Sequence, residues 1–220
     1  MVKVLVTGFE PFGGEQINPS GEAAKALHRR KIGGCDVVGV TLPVAWEEAV
    51  PKCLEAIDEA KPEIILMLGQ AAGRAGITVE RVAINVQNGK DNLGVERDEH
   101  PVVEGGPAAY MATVPIVEMV RAMKEGGVPA SISNTAGTYL CNCLMYGVLH
   151  AAAIQGLNLR GTFIHLPALP EQAVGKPMLA SMSQELIERG IELAIESLGS
   201  GISCQDQTGS AMPGPDARTR

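Results

Sequence analysis

The chain has 220 residues, which at about 150 residues per domain leaves room for one domain and a small appendage. Against 25 Asp and Glu stand 18 Lys and Arg, a formal charge of −7 with no basic run longer than Arg29-Arg30, so a nucleic-acid partner is disfavoured. Apolar residues are 45% and charged residues 20%, which excludes a disordered chain, and no run approaches the roughly 18 apolar residues of a membrane span.

In chain order, residues 2–9 form an apolar run ending near Gly8, a strand followed by a turn rather than a signal peptide. Residues 20–30 have helical spacing, 36–44 are β-branched, and 45–60 carry the stripe Trp46, Val50, Leu54 and Ile57. Residues 64–68 are wholly apolar, as expected for a strand buried on both faces. Residues 77–86 alternate, and the period places Glu80 on one face with Val82, Ile84 and Val86. Residues 87–107 are polar and turn-rich without a regular period, which suggests a wall or cover with Asp91 and Asn92 near a ligand, or else a surface excursion. Residues 108–126 read as mostly helical, 129–134 as a short strand, 141–155 as a helix, 161–166 as a strand, and 177–198 as the last helix. This alternation predicts a single α/β/α sandwich over residues 1–198 with a largely parallel sheet, and a loose tail over 199–220.

In such sheets ligands collect beyond the carboxyl ends of the strands. Glu80 is costly on an apolar face unless something pairs with it: it forms a salt bridge to a helix, stands on an edge strand whose face is wet, or orients a histidine. Cys141 falls in the first turn of a helix, where free N–H groups and the dipole lower a thiol pKa and can hold an oxyanion. The alternative for any cysteine is an inert buried thiol, the reading given to Cys35, Cys53 and Cys204, with Cys143 undecided. Of four histidines only His165 ends a strand at the expected functional edge. Cys, His and Glu would supply a nucleophile, a base and an orienting acid, although spacing alone does not bring them together. Five cysteines, odd in number and scattered, point to a reducing cytoplasm, and the spacing of Cys and His suggests no metal site. Phe9 and Phe12 sit together in the glycine-rich turn after the first strand.

Gly8-Phe9-Glu10-Pro11-Phe12-Gly13-Gly14 with Asn18-Pro19-Ser20 resembles the N-terminal signature of the pyroglutamyl peptidase I family of cysteine peptidases. Gly69-Gln70-Ala71-Ala72-Gly73-Arg74 with Glu80-Arg81-Val82-Ala83, Val103-Glu104-Gly105-Gly106-Pro107-Ala108-Ala109-Tyr110, Ala136-Gly137-Thr138-Tyr139-Leu140-Cys141-Asn142, and Phe163-Ile164-His165-Leu166-Pro167 with Leu169-Pro170-Glu171-Gln172 are similar to further segments of that family. Cys143 departs from it, histidine being commoner there. The resemblance implies a cytoplasmic peptidase removing an N-terminal pyroglutamyl residue with a Glu80, Cys141 and His165 triad. It further implies no cofactor, no metal, and a homo-oligomer, often a tetramer. Substrate contacts are expected from Phe9 and Phe12 around a flat ring, from Gln70 to the lactam amide, and from Asn18 through its backbone. Two other classes stay open. One is a phosphorylase-like transferase with phosphate at Gly13-Gly14 and Arg74, which Glu10 disfavours. The other is a non-catalytic oligomeric scaffold.

Overall fold

The long apolar runs that read as strands all enter one sheet. A computed structural model describes residues 2–201, so the expectation for the tail, Cys204 included, lies mostly outside the described residues. In chain order the elements begin β1 (Lys3–Phe9), α1 (Pro19–Leu27), β2 (Lys31–Ile32), β3 (Cys35–Leu42), α2 (Ala49–Ala60), β4 (Ile64–Gln70) and β5 (Ile77–Glu80). They continue β6 (Val82–Ile84), β7 (Gln87–Lys90), β8 (Glu96–His100), β9 (Ala109–Met111), α3 (Ile116–Glu125) and β10 (Ala130–Ser133). The last are α4 (Leu140–Gln155), β11 (Arg160–Leu166), α5 (Pro170–Ala173) and α6 (Gln184–Gly201).

The main sheet has 7 strands in the order β10-β5-β11-β4-β1-β3-β2. Pairs β1–β3, β1–β4, β4–β11 and β5–β10 are parallel, whereas β5–β11 and β2–β3 are antiparallel. The expected α/β fold with a largely parallel sheet is what forms. The strand period sorts side chains into two layers. Val4, Val6, Ile64, Leu66, Leu68 and Ile164 pack with Leu27, Met119, Met123 and Ile187 of α1, α3 and α6. On the other face Leu5, Ile65, Met67 and Phe163 meet Cys53 of α2 and Leu144, Tyr146 and Val148 of α4. α1 lies so close to β1 that a Cβ on Gly8 would stand 2.0 Å from the Ser20 carbonyl oxygen. That approach holds the Phe9–Asn18 loop over the carboxyl end of the sheet.

Four expectations need correction. Residues 77–86 are not one strand: the chain turns at Arg81, whose N–H bonds Ser133 O, and β6 leaves to pair with β9 in a separate small sheet. Glu80 therefore shares no continuous face with Val82 and Ile84, and Ile84 is exposed. Residues 87–107 contain a hairpin, β7–β8, which sequence patterning misses because its strands are polar on both faces. Residues 108–126 begin as β9 and become helical only after Pro115, which stands at the N-cap of α3. The last helix starts at Gln184 and not Pro177: Ser181 bridges Ala168, Met182 N–H bonds Ala168 O, and Ser183 Oγ caps the Leu186 N–H. Among the described residues no helix is long and apolar enough to cross a membrane.

Candidate active site

Three strand ends and one helix start converge on the α4 side of the sheet. His165 follows Phe163 on the face of β11 that looks at α4, their ring centroids 4.8 Å apart. The antiparallel β5–β11 seam pairs Thr78 with His165, and Glu80, two residues further on the same face, reaches the imidazole with its side chain. His165 Nδ1 and Glu80 Oε1 are 2.7 Å apart, with Glu80 fully buried and His165 4% exposed. An ionised carboxylate only accepts, so Nδ1–H is the donor and Nε2 keeps its lone pair.

Glu80 also pairs with a cation, which comes from the loop after β4 and not from a helix. Arg74 Nη1 donates to the same Oε1 at 2.6 Å and bonds Thr78 Oγ1, while Nη2 reaches Thr135 O at 3.4 Å. The sequence reading assigns Arg74 only to a phosphate in the transferase alternative and misses its pairing with Glu80, because a lone charge in a glycine-rich loop gives no periodic signal. Its commitment to Glu80 removes the cation that a phosphate at the Gly13-Gly14 turn would have used. Glu10 is equally engaged, its Oε1 accepting from Val44 N–H at 3.0 Å and Asn92 Nδ2 at 3.3 Å.

Cys141 comes from the first turn of α4, anchored below by Asn142. That buried side chain accepts from Ile84 N–H and donates to Ile84 O and Val86 O at 2.8–2.9 Å. The Cys141 sulfur lies over Gly69, where a Cβ would be 2.9 Å from Sγ and 2.6 Å from Phe163 Cζ. Gly69 is the register partner of His165, so the sulfur lies over the strand beside the one that carries the imidazole, the two backbones being about 4.8 Å apart. Only a residue without a side chain lets the sulfur sit there.

The charges settle in a neutral pair beside an anion. Burial raises Glu80, but hydrogen bonding to His165, the neighbouring Ser133 and Arg74, with the His165 charge, holds it below the usual carboxylate value. Burial pushes His165 below its ordinary value, opposed by Glu80 and assisted by Arg74. The Cys141 residue is partly exposed, yet burial around the thiol, with the Glu80 charge, pushes it up to about 12, against its own backbone N–H and Arg74. The lowering expected from the helix start is present but loses to desolvation. At neutral pH the resting site holds a thiol, a neutral imidazole and a carboxylate.

Beside the sulfur is a narrow slot lined by Phe9, Phe12, Asn18, Val44, Gln70, Tyr139 and Leu140. The structure thus brings together all four residues expected at a flat ring. The Asn18 side chain caps α1, accepting from Ser20 N–H at 3.1 Å, and donates to Glu10 O at 2.9 Å, which leaves ligand contact to its backbone. The β7–β8 hairpin walls the slot through Tyr139, whose hydroxyl donates to Lys90 O at 2.8 Å. Asn92 ties the hairpin to the Phe12 loop, donating to Pro11 O at 3.0 Å, but Asp91 is spent on its own turn and on Trp46 N–H. Cys143, about 200° around the helix from Cys141, is buried, accepts from Gln87 Nε2 at 3.1 Å and is pushed up to about 11 by burial. It lines a separate cleft of about 560 Å³ that includes none of Glu80, Cys141 and His165. Among the described residues no group of 3 or more His, Cys, Asp or Glu is placed to hold a metal ion.

Comparisons with known proteins point to one family. A family model described as pyroglutamyl peptidase matches residues 2–200. A pyrrolidone-carboxylate peptidase of Yersinia pestis (strain Pestoides F) is 49% identical over 197 residues, 89% of this chain and 92% of that protein. The crystal structure of pyroglutamyl peptidase I from Bacillus amyloliquefaciens superposes with a TM-score of 0.89 at 39% identity, covering 91% of this chain and 98% of that one. A mutant pyrrolidone carboxyl peptidase from Pyrococcus furiosus gives 0.88 at 42% identity, covering 91% and 100%. The chain belongs to the pyroglutamyl peptidase family, and it is a hydrolase of the pyroglutamyl-peptidase I, cysteine type.

Proposed function

We propose that this chain removes an N-terminal pyroglutamyl residue from peptides and proteins through a Cys141–His165–Glu80 triad and a thioacyl-enzyme intermediate. The observation that carries the reading is the buried 2.7 Å bond between His165 and Glu80, with the Cys141 sulfur over Gly69, next to Gln70 and Leu140 of the slot. Because thiol and imidazole rest neutral, the proton passes from Sγ to Nε2 as the sulfur attacks the pyroglutamyl carbonyl. Glu80 keeps Nδ1 protonated and stabilises the imidazolium that forms. The Cys141 backbone N–H, which has no intrahelical partner in the first turn of α4, would turn to the developing oxyanion. The imidazolium then protonates the departing amine, and water hydrolyses the thioester, returning the proton to sulfur. The same proposal extends to a cytoplasmic homo-oligomer, of four copies by family resemblance.

Pyroglutamate is a lactam without a free amine, so its site needs an apolar slot and neutral hydrogen-bonding groups. Phe9 and Phe12 supply the faces and Gln70 the amide. The test is hydrolysis of a pyroglutamyl-aminocoumarin beside its prolyl counterpart, which has the ring but no lactam oxygen. Cleavage of the first alone is expected, and equal cleavage of both would overturn the slot assignment. Gln70→Leu should cut kcat/KM on the pyroglutamyl substrate by about 10–100-fold, one or two buried hydrogen bonds, and weaken selectivity more than folding, although the Gln172 amide loses its partner. Full retention would remove Gln70 from the site. Gly69→Ala puts a methyl group where Sγ and Phe163 already lie. A displacement of the sulfur by about 1 Å costs about 10²-fold, and slower alkylation of Cys141 by iodoacetamide should accompany it. Unchanged kinetics in that variant would place the sulfur elsewhere.

A further inference from the structure

Gln70 does not meet the slot alone. Its Nε2 donates to Gln172 Oε1 at 2.9 Å, and Gln172 Nε2 donates back to Gln70 Oε1 at 3.3 Å. The two amides are 9% and 5% exposed. The Gln172 Oε1 also accepts from Leu169 N–H at 2.9 Å, its Nε2 donates to Ile17 O at 3.3 Å, and the Glu15 carboxylate is a further acceptor for that amide nitrogen. A primary amide has two donor hydrogens and two acceptor lone pairs, and Gln172 uses all four.

That saturation fixes an orientation. Leu169 N–H and Ile17 C=O cannot exchange roles, so turning the Gln172 amide over would set N–H against N–H and oxygen against oxygen. With Gln172 held, Gln70 can only present Nε2 to the Gln172 oxygen and Oε1 to the Gln172 nitrogen. Each Gln70 group keeps one unused valence, one N–H and one lone pair. A free glutamine side chain would interconvert its two faces at little cost, and the slot would then match a lactam only part of the time. Gln172, in the segment after β11, also ties together the end of β4 and the loop before α1, which supply Gln70 and Asn18 to the slot.

We propose that Gln172 is a specificity-positioning residue, which locks the Gln70 amide so that the slot shows a lactam one fixed donor and one fixed acceptor. This rests on the peptidase reading above. Its test uses two readouts: KM and kcat on pyroglutamyl-aminocoumarin, and the concentration of free pyroglutamate that half-protects Cys141 from iodoacetamide, followed by mass spectrometry. Protection needs the slot but not turnover, so a wild-type chain that binds without cleaving would defeat the catalytic reading and still decide this one.

Gln172→Met keeps the volume and removes the amide. It should raise KM and the half-protecting concentration about tenfold each, the loss of one well-placed hydrogen bond, with kcat changed less than about threefold and unprotected alkylation unchanged. In combination with Gln70→Leu it should add nothing further, because it acts through Gln70. Should Gln172→Met fail to fold, Gln172→Glu keeps both acceptor contacts and loses both donations, and the same loss of affinity and the same non-additivity are expected. Unchanged affinity, losses that multiply in the double variant, or alkylation slowed in step with turnover would each overturn the proposal.

Discussion

Cys141→Ala is expected to abolish pyroglutamyl hydrolysis, a fall of about 10⁵–10⁶-fold in kcat, the size seen when a covalent nucleophile is removed. No other described cysteine can substitute. Cys35, Cys53 and Cys143 are buried, and Cys143 faces the separate cleft. The fold should tolerate the change, because Cys141 packs against the edge of one core layer rather than within it, and alanine removes only the sulfur. A thermal midpoint within a few degrees of wild type would correspond to a loss under about 1 kcal/mol. Binding should survive as well, since the slot is built by other side chains, so pyroglutamate should still protect a reporter at the slot. Residual cleavage at even a hundredth of the wild-type rate would mean that another group attacks the carbonyl.

The three central residues were legible for different physical reasons. Glu80 breaks an apolar alternation, and burial of a carboxylate demands a partner. His165 stands where a strand stops, and Cys141 where a helix begins. Pattern could not show that one carboxylate oxygen serves two partners, because Arg74 approaches from a loop with no period. Nor could it show Gln172, whose importance lies in hydrogen bonds to Ile17 and Leu169 that no spacing encodes. The reading of Glu80 reached its partner while mistaking its surroundings: the chain leaves the main sheet at Arg81, and alternation is blind to a strand that changes sheets. The thiol failed in another way. A helix start lowers a thiol pKa, but enclosure opposes it, and only the packed site reveals that enclosure wins.

Glu80→Gln tests that electrostatic arrangement most directly, through a change in rate and a change in pH dependence. The variant keeps size and can still accept from Nδ1–H, but it leaves Arg74 without its anion and the transient imidazolium without its partner. A loss of about 10²–10⁴-fold in kcat is expected, below that of Cys141→Ala, because orientation supports the reaction without forming a bond. In wild type, His165 sits below its ordinary value of 6.5, so activity should persist as pH falls through 6.5 and decline only below it. Glu80 raises His165 against burial and Arg74. Removing its charge should move the acid limb of kcat/KM to still lower pH, giving a slower but more acid-tolerant enzyme. Stability should follow the same groups. Glu80 is held below 4.5, so its contribution is present above its unfolded value and is lost as pH falls through the folded one. That component of acid unfolding should be missing in the variant. An acid limb that moved upward, or a rate below that of Cys141→Ala, would show that Glu80 does something other than hold and charge-balance His165.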